Sequence, residues 1–197
     1  MRGALIYVMG PSGAGKDAVM ERARQRLSID DLVVFAHRYI TRPAQTGGEN
    51  HICLSRSEFA QRRAWGLFAF HWHAHDNDYG IGVEVNTWRA TGLAVVVSGS
   101  REHFQALDGI DEDTVPVLIT ASSERLQERL LRRGREDAAA SAERLQRGAA
   151  LDIAAPNLVT IVNDGPIEEA ADALVRLLAT FRRSPAGRRQ AGIAPAR

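Results

Sequence analysis

The feature that most constrains this 197-residue chain is a glycine-rich segment near its start, Gly10-Pro11-Ser12-Gly13-Ala14-Gly15-Lys16-Asp17. A continuous apolar run over residues 4–9 precedes it, and residues 17–27 follow with the apolar spacing of a helix. An apolar run with β-branched and aromatic members is typical of a strand buried on both faces. A strand, a glycine turn and a helix in that order predict the opening of a βαβ unit.

The spacing G-x-x-x-x-G-K between a strand and a helix is typical of a loop that binds nucleotide phosphates. Glycines allow backbone N–H groups to turn inward around an anion, and the following helix directs its positive end towards it. We expect Lys16 to reach the β- and γ-phosphates of ATP. The candidate ATP-binding residues are Gly10, Pro11, Ser12, Gly13, Ala14, Gly15, Lys16 and Asp17.

Asp17 occupies the position where this motif usually has Ser or Thr, whose hydroxyl contacts Mg²⁺. A carboxylate is also an oxygen ligand for Mg²⁺, directly or through water, so we expect Asp17 to be a metal ligand. The alternative is structural, because the helix dipole stabilises an acid in the first turn of a helix whatever the loop binds.

The alternation of strands and helices returns in the second half of the chain. Apolar runs predict further strands at 32–36, 93–97, 115–120 and 158–162. The intervening patterns predict helices over 101–107, from residue 122 or 123 onwards, and over 167–181. Alternating elements of this kind predict an α/β fold with a mainly parallel central sheet and helices on both faces.

Residues 38–90 interrupt this alternation, because they are richer in Gly, His, Asn and aromatic residues and their apolar runs are short. We expect a small inserted subdomain of short strands there, with a helix near 57–64. Residues 1–182 would then form a single domain. From residue 183 the chain consists largely of Arg, Gly, Ala and Pro without periodicity, so we expect a disordered tail over 183–197.

Composition excludes several functional classes. With 45% apolar and 25% charged residues, the chain has enough apolar surface to form a core. Its 25 Lys and Arg against 24 Asp and Glu argue against a general nucleic-acid binder. The single cysteine, Cys53, excludes an intrachain disulfide and a Cys-rich zinc site, and we expect a buried side chain in a cytoplasmic protein. No apolar run approaches the ~20 residues that span a bilayer, so no membrane partner is expected. The sequence does not define an oligomeric state.

Three arginines are candidates for binding a phosphorylated acceptor. Arg38 and Arg42 lie four residues apart just after a predicted strand, and guanidinium groups suit phosphate oxygens. Arg101 follows the strand at 93–97, at the carboxyl edge of the sheet where α/β folds bind ligands. The alternative for Arg38 and Arg42 is a pair of solvated loop arginines.

Three histidines, His71, His73 and His75, alternate with other residues and would share one face of a strand. Such a face could bind zinc. However, phosphoryl transfer requires Mg²⁺, and no acid or cysteine is clearly placed beside them. We therefore favour one or more histidines that line a polar pocket.

The chain as a whole resembles the guanylate-kinase-like P-loop kinases, and within them the ribose 1,5-bisphosphate phosphokinases of bacterial phosphonate breakdown. The resemblance covers residues 4–182 and rests on the loop ending in Lys16-Asp17 together with separated blocks in the same order. These blocks are His37-Arg38-Tyr39-Ile40-Thr41-Arg42, Glu49-Asn50-His51-Ile52, Trp72-His73-Ala74, Tyr79-Gly80-Ile81-Gly82-Val83-Glu84, Gly99-Ser100-Arg101, Arg133-Gly134-Arg135-Glu136 and Asn163-Asp164-Gly165.

The resemblance implies a three-layer kinase fold with an acceptor-binding insertion at about 38–90 and a mobile lid at about 134–142. It implies ATP and Mg²⁺ as cofactors, and a phosphorylated sugar as the partner. The reaction would move the γ-phosphate of ATP to the 1-phosphate of ribose 1,5-bisphosphate, giving 5-phosphoribosyl 1-diphosphate. Arg133 and Arg144 match the lid arginines in spacing and would act with Lys16 on the charge of the transferring phosphoryl group. The alternative for these two arginines is a solvated helix end.

Comparison with true guanylate kinases divides the expected acceptor site into two halves. Arg42 and Tyr79 fall where that family has a phosphate-binding arginine and tyrosine. His51 replaces another tyrosine and is included among the expected acceptor-binding residues. The acid that recognises guanine falls at Phe70, and a second such acid falls near 98–100, where this chain has Ser-Gly-Ser. Because phenylalanine accepts no hydrogen bond from a guanine edge, we expect the phosphate half to be kept and the base half to be lost.

Three alternative functions stay open on the sequence. The first is a nucleoside-monophosphate kinase with guanylate as substrate, against which Phe70 argues. The second is a kinase of another small phosphorylated or hydroxylated metabolite. The third is a non-catalytic binding module, which can dispense with loop residues, whereas Lys16 and all the loop glycines are present here.

Overall fold

The computed structural model describes residues 2–43, 50–107, 112–132, 153 and 155–181. The strands in these ranges are β1 (Leu5–Met9), β2 (Val33–Phe35), β3 (Arg38–Ile40), β4 (His51–Cys53), β5 (Phe68–Ala74), β6 (Asn77–Gly82), β7 (Ala94–Ser98), β8 (Thr114–Thr120) and β9 (Val159–Val162). The helices are α1 (Lys16–Arg24), α2 (Arg56–Ala64), α3 (Glu84–Ala90), α4 (Arg101–Gln105), α5 (Ser123–Arg132) and α6 (Ile167–Ala179).

Five strands form a parallel sheet in the order β2-β7-β1-β8-β9. β1 lies at its centre, with Leu5 opposite Val95 of β7 and Thr114 of β8. All five residues of β1 are buried, as its continuous apolar run predicts. The α/β fold with a mainly parallel central sheet, predicted from the alternation of elements, is therefore confirmed.

Helices cover both faces of this sheet. Side chains alternate along a strand, so β1 contributes to both layers of the core. Ile6 and Val8 pack with α1 and α6 on one face, whereas Leu5, Tyr7 and Met9 pack with α3 and α4 on the other. The resulting three layers place the carboxyl ends of β1, β7 and β8 at one edge, where the loop, α4 and α5 begin.

The expected acceptor insertion, residues 38–90, contains a second sheet with α2 and α3. Its strand order is β4-β3-β6-β5, in which β3 pairs parallel with β4 and antiparallel with β6. β5 and β6 form a hairpin that turns through His75 and Asp76, both with positive φ. α2 lies where the sequence predicts it, but α3 was not predicted, because Glu84–Ala90 is short and has β-branched and aromatic members that disfavour helix.

One sequence expectation is contradicted by the structure, and others lie outside the described residues. Cys53 is exposed, so the prediction that it is buried is wrong; it ends β4, which is an edge strand of the second sheet. No helix within the described ranges is long and apolar enough to cross a bilayer. Arg133, Arg144, the expected lid at 134–142 and the expected tail at 183–197 lie outside the described residues.

Candidate active site

The glycine-rich loop connects the carboxyl end of β1 to α1, as predicted. Gly10, Gly13 and Gly15 have φ values of 154°, 86° and 81°, which residues with side chains rarely adopt. A Cβ at Gly10 would lie 1.9 Å from the carbonyl oxygen of Ile119 in β8. One at Gly15 would lie 2.7 Å from Asn163 Nδ2. The course of the loop therefore requires glycine at both positions.

Two side chains that are distant in sequence brace the loop. Asn163, which follows β9, donates from Nδ2 to the carbonyl oxygen of Ala14 at 2.8 Å. Arg129 of α5 donates to the carbonyl oxygen of Asn163 at 2.8 Å and lies within 3.5 Å of the carbonyl oxygens of Gly13 and Ala14. These bonds hold the loop backbone in one conformation. Sequence reasoning missed Arg129, which looks like one of many solvated helix arginines.

Lys16 is the first residue of α1 and the only lysine in the chain. Its Nζ donates to the carbonyl oxygens of Gly10 at 2.9 Å and Pro11 at 3.3 Å. The ammonium group therefore folds back over the start of the loop. It carries a compact point charge on a flexible stem, which suits the predicted contact with phosphates.

Asp17 and Arg38, predicted for different roles, contact each other. Asp17 Oδ1 accepts a hydrogen bond from Arg38 Nη2 at 2.9 Å. Arg38 begins β3 and is only 8% exposed. Its Cζ lies 6.0 Å from the centroid of the Tyr79 ring. The guanidinium group thus lies between the loop and the second sheet, an arrangement that a separation of 21 residues did not indicate.

The other expected acceptor residues lie on or just after strands of the second sheet, apart from Arg101. His51 of β4 is opposite Arg38 in the register with β3, and Tyr79 lies on β6, the other neighbour of β3. Arg42 follows β3 by two residues and is half-buried. Arg101 begins α4 at the carboxyl edge of the first sheet, as predicted, and burial lowers its pKa.

A cleft opens beside the loop, between α1, the ends of β2 and β7, and β3. Its polar wall includes Asp17, Arg38, Asn50 and Ser98. The Oγ of Ser98 is buried and has no hydrogen-bond partner within the described part of the chain. An unsatisfied buried hydroxyl costs about 1–3 kcal/mol, so a polar ligand in the cleft would relieve that cost.

Phe70, at the position where the family resemblance would place the first acid of a guanine site, lies among aromatic side chains. Phe70 of β5 packs edge-on against Tyr7, with ring centroids 6.0 Å apart, and against His103 at 5.9 Å. Trp72, two residues further along β5, stacks on its cross-strand neighbour Tyr79 at 5.4 Å. This aromatic cluster (Tyr7, Phe70, Trp72, Tyr79 and His103) contains no carboxylate.

Ser100 lies in the segment 98–100, where the family resemblance would place the second guanine acid. Ser100 caps α4, since its Oγ accepts from the backbone N–H of His103 at 3.4 Å. His103 Nδ1 in turn lies 2.8 Å from the hydroxyl of Tyr7. Burial, with a smaller effect of His71, lowers the pKa of His103, and burial raises the pKa of Tyr7. Both side chains are therefore neutral at pH 7. Sequence reasoning did not identify His103.

The three histidines of the hairpin do not line the cleft. His71 and His73 are exposed on β5, and His75 lies in the turn with a φ of 50°. His73 Nδ1 pairs with Asp78 Oδ1 at 2.9 Å. In the described ranges, no group of three or more His, Cys, Asp or Glu residues is arranged to hold a metal ion.

Similar proteins occur among curated sequences and among solved structures. No protein-family model matches the chain. Curated relatives named ribose 1,5-bisphosphate phosphokinase PhnN from Desulfomicrobium baculatum and Dickeya zeae are 51% and 50% identical, over 88% and 89% of this chain and 93% of each relative. Among solved structures, guanylate kinase from Anaplasma phagocytophilum has a TM-score of 0.67 at 20% identity, covering 93% of this chain and 88% of that one.

The fold is that of guanylate kinase, and the curated relatives, which are named as phosphokinases, show that the chain is a phosphotransferase. The chain is about 50% identical to these relatives over about nine tenths of its length. It therefore belongs to the family of ribose 1,5-bisphosphate phosphokinases. The resemblance stated from the sequence motifs is confirmed. The three alternatives, a guanylate kinase, a kinase of another small metabolite and a non-catalytic module, are not favoured.

Proposed function

We propose that this chain transfers the γ-phosphate of ATP to the 1-phosphate of ribose 1,5-bisphosphate and forms 5-phosphoribosyl 1-diphosphate. The observation that carries the proposal is the difference between two groups of side chains, one that suits a phosphate and one that does not suit a base. Arg38 lies beside the phosphate loop, whereas Phe70 packs against His103 at the position where the family resemblance would place base recognition. An acceptor with phosphates but no base suits this arrangement, and the reaction belongs to phosphonate breakdown, as the family resemblance implies.

The donor half binds ATP through the loop backbone and Lys16. Mg²⁺ is usually held by one or two carboxylates together with substrate phosphates and water. Asp17 fits that requirement, because its side chain is 37% exposed beside the loop. When bound, the ion would neutralise charge on the β- and γ-phosphates.

The acceptor half positions a phosphate oxygen for in-line attack. Arg38, Arg42 and Tyr79 would hold the acceptor phosphates, and His51 and Arg101 are further candidates for this role. The 1-phosphate is ionised at neutral pH, so its oxygen attacks the γ-phosphorus without a strong general base. The bond from the γ-phosphorus to the β,γ-bridging oxygen breaks, and ADP leaves with that electron pair.

The lid residues would complete the site around the transferring phosphoryl group. Arg133 and Arg144 would approach from the expected lid, neutralise the charge that spreads over the phosphoryl oxygens, and exclude water that otherwise hydrolyses ATP. This part of the proposal rests on the family resemblance, since both residues lie outside the described ranges.

Phosphorus NMR tests the proposal directly. The protein is incubated with ATP, Mg²⁺ and ribose 1,5-bisphosphate, and the spectrum should develop the diphosphate resonances of 5-phosphoribosyl 1-diphosphate together with those of ADP. Lys16→Ala serves as the inactive control. If GMP is converted to GDP faster than the sugar phosphate is consumed, the acceptor assignment is wrong, while the fold and the donor site stand.

A further inference from the structure

The ion pair between Asp17 and Arg38 joins the donor half of the site to the acceptor half. Asp17 is the second residue of α1, directly after the loop lysine, and Arg38 is the first residue of β3 in the second sheet. Their 2.9 Å contact between Oδ1 and Nη2 is a charge-assisted hydrogen bond. One carboxylate therefore contacts an arginine of the other sheet while remaining next to Lys16.

Burial distinguishes this pair from the surface ion pairs of the protein. The Arg38 side chain is only 10% exposed, whereas most of the other ion pairs involve more exposed side chains, such as Arg24 with Glu21 at 52% and 36%. Exposed pairs contribute little, but a buried charge is costly unless a counter-charge accompanies it. Asp17 supplies a counter-charge to Arg38.

The same contact determines where the guanidinium group points. A guanidinium group carries five N–H donors in a rigid planar fork, so directing one nitrogen to a carboxylate fixes the directions of the others. Arg38 lies over the ring of Tyr79 and lines the cleft together with Asn50 and Ser98. An acceptor phosphate in the cleft would meet donors whose directions Asp17 has set.

We propose that Asp17 is a positioning residue for the acceptor, which holds Arg38 in the orientation that binds the acceptor phosphate. The inference rests on the proposed function, since it requires a phosphorylated acceptor. It differs from the metal ligation expected at this position. A serine or threonine hydroxyl meets that need in the usual motif, but it has no charge with which to hold a buried arginine.

Asp17→Ser separates the two roles, because it gives the loop the residue that the usual motif has at the metal position. With ATP and Mg²⁺ at saturating concentrations, the KM of the variant for ribose 1,5-bisphosphate should rise by about 10-fold or more. An unchanged KM for the acceptor, or a loss confined to nucleotide and Mg²⁺ affinity, overturns the positioning role.

A double-mutant cycle with Arg38→Met tests whether Asp17 acts through Arg38. The acceptor KM of the Asp17→Ser/Arg38→Met protein should equal that of Arg38→Met alone, whereas multiplicative effects contradict the proposal. Asp17→Asn, which keeps the shape and removes the charge, should reproduce the KM effect of Asp17→Ser and provides a second variant if that protein folds poorly. Nucleotide-induced thermal stabilisation verifies that each variant is folded.

Asp172→Asn is the matched control, since it breaks another Asp–Arg pair, that of α6 with Arg26 just beyond α1, away from the cleft. Its acceptor KM should equal that of wild type. Different results would contradict the proposed function and the positioning role of Asp17. A wild-type protein that does not turn over ribose 1,5-bisphosphate contradicts the proposed function, whereas an active wild type with an unchanged KM in Asp17→Ser contradicts only the role of Asp17.

Discussion

The donor and acceptor halves proposed for this site are built in different ways. The donor loop is one run of consecutive residues, 10–17, in which glycine conformations and backbone groups form the cradle. The acceptor half is assembled from side chains on separate strands, including Arg38, Tyr79 and Ser98. A backbone cradle recognises phosphate in general. Under the proposed function, acceptor choice would reside in a few side chains that can change while the fold and the donor chemistry stay the same.

The largest effect is expected from Lys16→Ala, which removes the one charged side chain that the donor loop places over its own backbone. Turnover should fall by about 100-fold or more, because charge aimed at a transferring phosphoryl group contributes on that scale. The thermal stabilisation produced by ATP with Mg²⁺ should fall in parallel. Activity within a few fold of wild type would show that the loop does not bind the donor.

The sole lysine allows an independent check of the donor half. An amine-reactive reagent can modify only Lys16 and the N-terminus, so mass spectrometry reports on a single side chain. ATP with Mg²⁺ should protect Lys16 from modification, and ribose 1,5-bisphosphate alone should protect it much less. Equal protection by both ligands would contradict the division of the site into two halves.

Backbone conformation in the donor half predicts a large effect on stability. Gly10→Ala should lower the free energy of unfolding by about 3 kcal/mol, because its Cβ would overlap the carbonyl oxygen of Ile119. Gly66→Ala is the matched control: Gly66 also has positive φ, 68°, but nothing lies within 4 Å of its added Cβ. That variant should lose only about 1 kcal/mol in denaturant unfolding. Equal losses in both would refute the steric account of the loop.

A side-chain change in the acceptor half should alter substrate preference rather than overall chemistry. Phe70→Glu returns an acid to the aromatic cluster, and kcat/KM for GMP relative to ribose 1,5-bisphosphate should rise by about 10-fold. Phe70→Leu, which keeps the position apolar, should leave that ratio unchanged. A ratio that moves equally in both variants would mean that packing, not charge, governs the preference.

The smallest expected effect is on the pH dependence of stability. Burial and His71 lower the pKa of His103, so the folded protein binds this proton less strongly than the unfolded chain does. The contribution of His103 is fully present above its unfolded pKa of about 6.5 and is lost as the pH falls towards its folded pKa. The Tm of His103→Gln should therefore drop less between pH 7.5 and 5 than that of wild type. An equal drop in Tm would mean that a group other than His103 causes the loss of stability at low pH.

Much of the fold and the donor half could be predicted from the sequence because both depend on local patterns. The buried run at 4–9 and the helical spacing after it define β1 and α1, and the glycine spacing between them defines the loop. Each pattern is read within about ten residues. The parallel sheet then follows from repetition of the same unit.

The contacts of the acceptor half could not be predicted from the sequence, because they join segments that are distant in sequence. β3 and β4 have only three residues each, too few for a periodic pattern. Arg38 was singled out for its charge, but its partner Asp17 belongs to another element. His103 resembles a solvated helix residue until Phe70 of the second sheet packs against it. Side-chain environments that form only through tertiary packing produce no pattern in the local sequence.

A competition assay tests most directly the claim that the acceptor half serves a phosphorylated sugar without a base. Equal concentrations of ribose 1,5-bisphosphate and GMP are mixed with limiting ATP, labelled in its γ-phosphate, in the presence of Mg²⁺ and protein. The label then divides in the ratio of the two kcat/KM values. At least about 100-fold more label should appear in 5-phosphoribosyl 1-diphosphate than in GDP. Equal label in the two products, or an excess in GDP, would contradict the account.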